Sequence, residues 1–275
     1  MTPGPMARQR RHTLQFLGEI RSFAPVFLDT EIDMTRIGEH RTAARAAGHR
    51  YSVVTYVLHT AARVLADHPE ANAAITGRIR PRVARYGSVD GKLTLDRTLD
   101  GRRIVLSAVL PGLHRAGLDD IQHQVDHYRD GDPATMPEFA GARALQRLPM
   151  PLGRLAYRAA VRPLGRRAAR MGTFAVTSLG HRPVDGFHSV GGTTVTLGLG
   201  RIAERPVVRD HVVTTAPVMR LSLAFDHRVI DGAEAADVLG DLKDGLENPT
   251  GLPAADRDTS DASDTSDTSV RRGDE

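Results

Sequence analysis

The sequence predicts an α/β domain, and three stretches carry that reading. From Pro217 to Phe225 the residues alternate, with Met219, Leu221, Leu223 and Phe225 on one face and Arg220, Ser222 and Ala224 on the other, the period of a strand. Ala233, Ala236, Val238, Leu239, Leu242 and Leu246 then recur at helical spacing, and Gly245, Asn248 and Pro249 give the stop signals. Nearer the start, Ser52 is placed to cap a helix whose Val53, Val54, Val57, Leu58, Ala61, Ala62 and Leu65 form an apolar face, and Pro69 ends it.

The strand and the last helix are joined by Asp226-His227-Arg228-Val229-Ile230-Asp231-Gly232. A side chain that removes a proton from a thiol or hydroxyl near neutral pH is most often an imidazole, because its ordinary pKa lies in that range. His227 is therefore the expected general base. Asp231, four residues on, is suited to anchoring the turn through an ion pair and backbone bonds, and Gly232 permits angles that a Cβ would oppose. A second copy of the pattern, His181-Arg182-Pro183-Val184-Asp185-Gly186, follows Gly180 and contains a proline, so it reads as a loop.

Together these residues resemble the catalytic-domain signature of the dihydrolipoamide acyltransferases of 2-oxo-acid dehydrogenase complexes, relatives of chloramphenicol acetyltransferase. The stretch from Asp226 to Ala233, the ending Leu246-Glu247-Asn248-Pro249, and the run Gly172-Thr173-Phe174-Ala175-Val176-Thr177-Ser178-Leu179-Gly180 carry the likeness. Arg10-Arg11, Pro25 and Leu28 to Thr35 resemble the family's opening helix and first strand, so the likeness spans roughly residues 10 to 250. The resemblance implies a two-layer sandwich with a mixed sheet, and a homotrimer whose active sites lie between subunits. It also implies acyl-coenzyme A as substrate, His227 as base and Thr177 as donor to the tetrahedral oxyanion, with Ser178 as the alternative donor. An arginine, Arg10 or Arg11, would pair with Asp231.

Departures from the family shape the expected acceptor. Lys92 and Lys243 are the only lysines and neither sits in a lipoylation-like hairpin, so no covalent lipoyl group is expected on residues 1–275. Where the family has an Asp-Gly-Leu strand, this chain has Asp100-Gly101-Arg102-Arg103-Ile104. The favoured acceptor is thus a hydroxyl or amine on a small molecule or carrier, and the alternative is a dihydrolipoyl group on a separate chain. A catalytically idle trimeric scaffold is the reading from another class, against which His227, Asp231 and the Thr177 hydroxyl all speak.

Residues 140–171 form an insertion with eight arginines and no acid, in which Arg154, Arg158, Arg162, Arg166 and Arg170 repeat every four residues. That spacing predicts a basic helical stripe, broken at Pro163, with Leu152, Leu155, Ala156, Ala159 and Ala160 as its apolar side. Its expected partner is acidic, such as coenzyme A phosphates, a carrier protein or a membrane surface.

Composition bounds the rest. The 275 residues, 40% hydrophobic, suffice for one core, expected over residues 10–250 between a flexible 1–9 and a disordered acidic tail, 251–275. That tail has net charge −4, leaving +8 on the remainder. With no cysteine there is neither disulfide nor thiolate chemistry. His123 and His127 lie four apart on a predicted helix but lack a third ligand, so no metal is expected. A nucleic-acid partner is disfavoured by the absence of tryptophan and of any recognised module. No apolar run approaches membrane-spanning length and the polar N-terminus has no secretory core, so a cytoplasmic location is expected.

Overall fold

A computed structural model describes Gly4, residues 6–77, residues 79–250 and Leu252. Apart from Leu252, the expected acidic tail lies outside the described residues. A 3-10 turn begins at Arg8, inside the stretch expected to be flexible. The chain then runs through α1 (Arg11–Glu19), β1 (Pro25–Asp33), α2 (Thr35–Ala46), α3 (Val53–Asp67), β2 (Ala73–Thr76), β3 (Arg82–Arg85), β4 (Gly91–Leu99) and β5 (Arg102–Leu110). The second half adds α4 (Leu118–Asp130), α5 (Ala140–Arg147), α6 (Met150–Val161), α7 (Leu164–Met171), β6 (Phe174–Ser178), β7 (Val195–Arg209), β8 (Val212–Asp226) and α8 (Gly232–Glu247).

Six strands form one mixed sheet in the order β1-β8-β7-β6-β4-β5, while β2 and β3 make a small hairpin apart from it. Strand β6 runs parallel to both β4 and β7, and every other pair in the large sheet is antiparallel. The alternation in β8 buries one face against the helical layer: Leu223 aligns with Leu197 and Val176, and this row belongs to one core with Leu58 of α3, Val125 of α4 and Val238 of α8. Ser52 caps α3 through its hydroxyl, which accepts from the Thr55 amide at 3.1 Å. In α8 the buried stripe is Ala235, Val238, Leu239, Leu242 and Leu246, whereas Ala233 and Ala236 face solvent. Alanine fits either face of a helix, so the leucines set its phase.

The opposite face of the sheet has a different cover. Residues 184–192 cross it, and two glycines of β7 permit the approach: a Cβ on Gly198 would lie 2.6 Å from the Phe187 carbonyl oxygen, and one on Gly200 1.9 Å from that of Asp185. This cover explains why Ser222 and Ala224, on the face that alternation marks as polar, are buried as well.

Helices α1, α6 and α7 close the adjoining end. There Lys92 is fully enclosed, its amine bonded to the Gly191 carbonyl and 4.9 Å from the centre of the Phe16 ring. Arg167, also buried, donates to the carbonyls of Val161 at 3.0 Å and Gly192 at 2.8 Å. Burial first, and the charge of Arg167 second, push the Lys92 amine down to about 7. An unfolded lysine titrates near 10.4, so between about pH 7 and pH 10 the unfolded chain binds the extra proton and stability rises with pH. Thermal melts across that window are expected to show the rise in the wild type and a flatter profile in Lys92→Met.

Candidate active site

Strand β8 ends on Asp226, and this residue shapes the turn that follows. Its carboxylate is 2% exposed and accepts from the Arg228 guanidinium at 2.5 and 2.8 Å, the Arg228 amide at 3.2 Å and the Ala24 amide at 3.4 Å. Arg228 in turn lies 5.0 Å from the centre of the Phe23 ring, and the His227 amide donates to the Ala24 carbonyl at 2.9 Å. The turn is thus clamped to the segment entering β1. Removing one partner of a buried ion pair leaves the other uncompensated. Asp226→Ala is therefore expected to lower stability by about 3 kcal/mol, the low end of the usual range because Arg228 stays a third exposed. A denaturant midpoint measures it.

The clamp presents His227 outward, with its side chain 46% exposed and its ring 5.5 Å from that of Phe225. Asp231, 89% exposed, places a carboxylate oxygen 3.3 Å from His227 Nδ1. An ionised carboxylate there favours the tautomer with the proton on Nδ1, which leaves the Nε2 lone pair free to accept one. Nε2 makes no hydrogen bond among the described residues. Helix α8 is fixed behind the turn by His68, at the end of α3, whose two ring nitrogens lie 2.9 Å from Glu234 and Asp241.

Three expectations about this turn need correction. Of the ion pair and backbone bonds expected of Asp231, the ion pair is present, to His227, while the bonds to backbone amides are made by the Asp226 carboxylate instead. Gly232 has no positive φ, and an added Cβ would meet open space, so backbone freedom does not explain it. The pairing of Arg10 or Arg11 with Asp231 is not formed within the chain. Arg11 donates to the carbonyls of Gln146 and Leu148, at 3.4 and 3.2 Å, because α1 packs against the insertion rather than reaching the turn. Arg10 makes no ion pair among the described residues.

Thr177 and Ser178 take opposite faces of β6. Ser178 shares the side of Phe174 and Val176, toward the helical core, and its hydroxyl accepts from the Gly180 amide at 3.4 Å. Thr177 lies on the other side, level with Thr94 and Gly198, half-buried and with its hydroxyl making no hydrogen bond among the described residues. Its row continues to Ser222 on β8, five residues before His227 and two strands away. At about 3.3 Å per residue and 4.8 Å per strand, this puts the two roughly 20 Å apart. One chain therefore does not bring His227 and Thr177, the expected base and oxyanion donor, together.

A cleft of about 170 Å³ lined by Arg41, Arg45, Arg50, Ser52, Gln122 and Arg129 sits at the start of α3, whereas the His227 turn lies by its far end. The decoy His181 is in the loop as expected, and its Asp185 pairs with Arg201 at 2.6 Å. His127 lies 3.0 Å from Glu138, and no group of three or more His, Asp or Glu residues among the described ones is arranged to hold a metal. No described helix is long and apolar enough to cross a membrane.

Residues 141–253 match the family model for the 2-oxoacid dehydrogenases acyltransferase (catalytic domain). Among curated proteins, the dihydrolipoyllysine-residue acetyltransferase component of the pyruvate dehydrogenase complex of Bacillus subtilis (strain 168) is 55% identical over 53 residues, 19% of this chain and 12% of that protein. The corresponding Staphylococcus aureus component is 51% identical over 53 residues, with the same shares. The chain thus matches about an eighth of the length of these relatives. Solved structures extend the likeness in fold. The probable dihydrolipoamide acetyltransferase of Listeria monocytogenes 4b F2365 superposes with a TM-score of 0.63 at 15% identity, over 92% of this chain and 99% of that one. An Azotobacter vinelandii dihydrolipoamide acetyltransferase, studied for the role of a serine, a histidine and an asparagine in its catalytic mechanism, gives 0.66 at 23% identity, over 90% and 92%.

Proposed function

We propose that this protein is a coenzyme A-dependent acyltransferase whose active site is completed by two copies of the chain. The observation that carries the proposal is His227 at the end of β8, with Nδ1 3.3 Å from a carboxylate oxygen of Asp231 and Nε2 without a hydrogen bond among the described residues. In the proposed step, Nε2 takes the proton of the attacking acceptor, which adds to the thioester carbonyl of acyl-coenzyme A. The oxyanion that forms accepts a hydrogen bond from Thr177 of a second copy. Collapse expels the coenzyme A thiolate, which takes the proton back from the imidazolium.

The separation of Thr177 from His227 supports assembly, and a homotrimer is the arrangement proposed. A protein of this fold forms the cubic core of the pyruvate dehydrogenase multienzyme complex. The Azotobacter enzyme has been investigated for the role of a serine, a histidine and an asparagine in its catalytic mechanism. Thr177, His227 and Asp231 would supply a hydroxyl, an imidazole and a carboxylate.

The acceptor proposed first is a hydroxyl or amine, in keeping with the arginine-rich β5 strand in place of the family's sequence. A dihydrolipoyl thiol is the second reading, favoured by the 55% identical stretch shared with a dihydrolipoyllysine-residue acetyltransferase component. Incubation with acetyl-coenzyme A and either dihydrolipoamide or a panel of alcohols and amines distinguishes them by the acetylated product. Transfer to neither class would turn the reading toward a scaffold.

A further inference from the structure

The insertion presents to solvent the side that its sequence marks as apolar. Leu152 and Leu155 are 56% and 67% exposed, and Ala156 and Ala159 are exposed beside them, while Gly153, Tyr157 and Val161 face inward. The reason is Gly153: α6 meets α1 there, with the amide nitrogen of Gln15 2.0 Å from where a Cβ would be, and this contact turns the leucines outward. As expected, the helix breaks at Pro163, between α6 and α7.

The arginines divide into two sets. Arg158 and Arg162 pair with Glu19 at 3.3 and 2.7 Å, while Arg143 and Arg167 are bonded to backbone carbonyls. Arg154, Arg166 and Arg170 are exposed, and their guanidinium groups make no ion pair or hydrogen bond among the described residues. Glu19 is the one acid among residues 8–22 and 140–171, against twelve arginines.

We infer that α6 and α7 form a docking surface for an acidic protein domain. The free arginines meet the partner's carboxylates, and Leu152 and Leu155 fill an apolar contact between them. Charge complementarity selects an anionic partner, and a small apolar centre inside a charged rim is the anatomy of a protein interface. An anionic membrane fits less well, because the outer face of α6 carries two leucines and alanines but no aromatic residue. A two-fold contact with a second copy would oppose two sets of arginines. That the partner is a carrier delivering the acyl group or its acceptor rests on the acyl transfer proposed above; the docking itself does not.

The probe is a small acidic acyl carrier protein bearing an acetyl-phosphopantetheine arm, titrated onto the full chain. Binding is expected to weaken with salt. It should fall at least about tenfold in R154E/R166E/R170E and in L152S/L155S, and persist in R154K/R166K/R170K. Turnover of acetyl-coenzyme A, assayed separately, should be unchanged in all three variants. Absent turnover with intact binding would sink the enzymatic reading and leave the docking standing. The docking is overturned if the carrier does not bind, if the charge-reversed variant binds equally well, if anionic vesicles bind instead, or if the variants change only the sedimentation of the protein.

Discussion

Replacement of His227 by alanine is expected to lower the rate of acyl transfer by about 10²- to 10⁴-fold, the usual contribution of a positioned general base. The fold should be unaffected. The ring is 46% exposed, and the backbone bond that holds the turn, from the His227 amide to the Ala24 carbonyl, survives the change. The clamp at Asp226 is likewise independent of the imidazole. The measurement is turnover of acetyl-coenzyme A, with a thermal melt as control. An unchanged melt with lost turnover places the loss in chemistry; unchanged turnover would remove His227 from the mechanism.

Thr177→Val is expected to cost about 10²- to 10³-fold in kcat, equivalent to roughly 3 kcal/mol of transition-state stabilisation, because valine keeps the shape and removes the donor. The loss should appear in kcat more than in KM, since an oxyanion forms only after attack. Thr177→Ser, which restores the hydroxyl, should recover most of the rate. Ser178→Ala serves as the contrast: its hydroxyl faces the helical core, where it accepts from Gly180, and its loss should leave kcat nearly unchanged.

Much of the sheet and of the turn was legible in the sequence because each depends on local pattern. Alternation in β8 and the capping serine of α3 are local facts, and both elements form where the pattern puts them. The face of each strand follows from the same period, which is how Thr177 and Ser178 come to lie on opposite sides. What was not legible depends on contacts between distant segments. The leucines of α6 have helical spacing, but a spacing does not say which stripe is buried; the contact of Gly153 with Gln15 decides it. The resemblance implies that Arg10 or Arg11 pairs with Asp231, yet the carbonyls of Gln146 and Leu148 take the Arg11 guanidinium. Asp226 and Arg228 match the motif as structural rather than chemical residues, and the approach of Ala24 to Asp226 shows how they hold the turn. The separation of His227 from Thr177 is likewise a property of the sheet, since a sequence orders residues without ranking their distances.

The claim at the centre is that base and oxyanion donor come from different copies. Mixing His227→Ala and Thr177→Val proteins, after dissociation and reassembly, tests it most directly. Each variant alone lacks one group at every site. In a mixed assembly, a site between a Thr177→Val copy supplying His227 and a His227→Ala copy supplying Thr177 is intact. Random association in equal amounts should therefore restore about a quarter of wild-type turnover. A mixture no more active than its two components, though reassembled to the same size, would contradict a shared site.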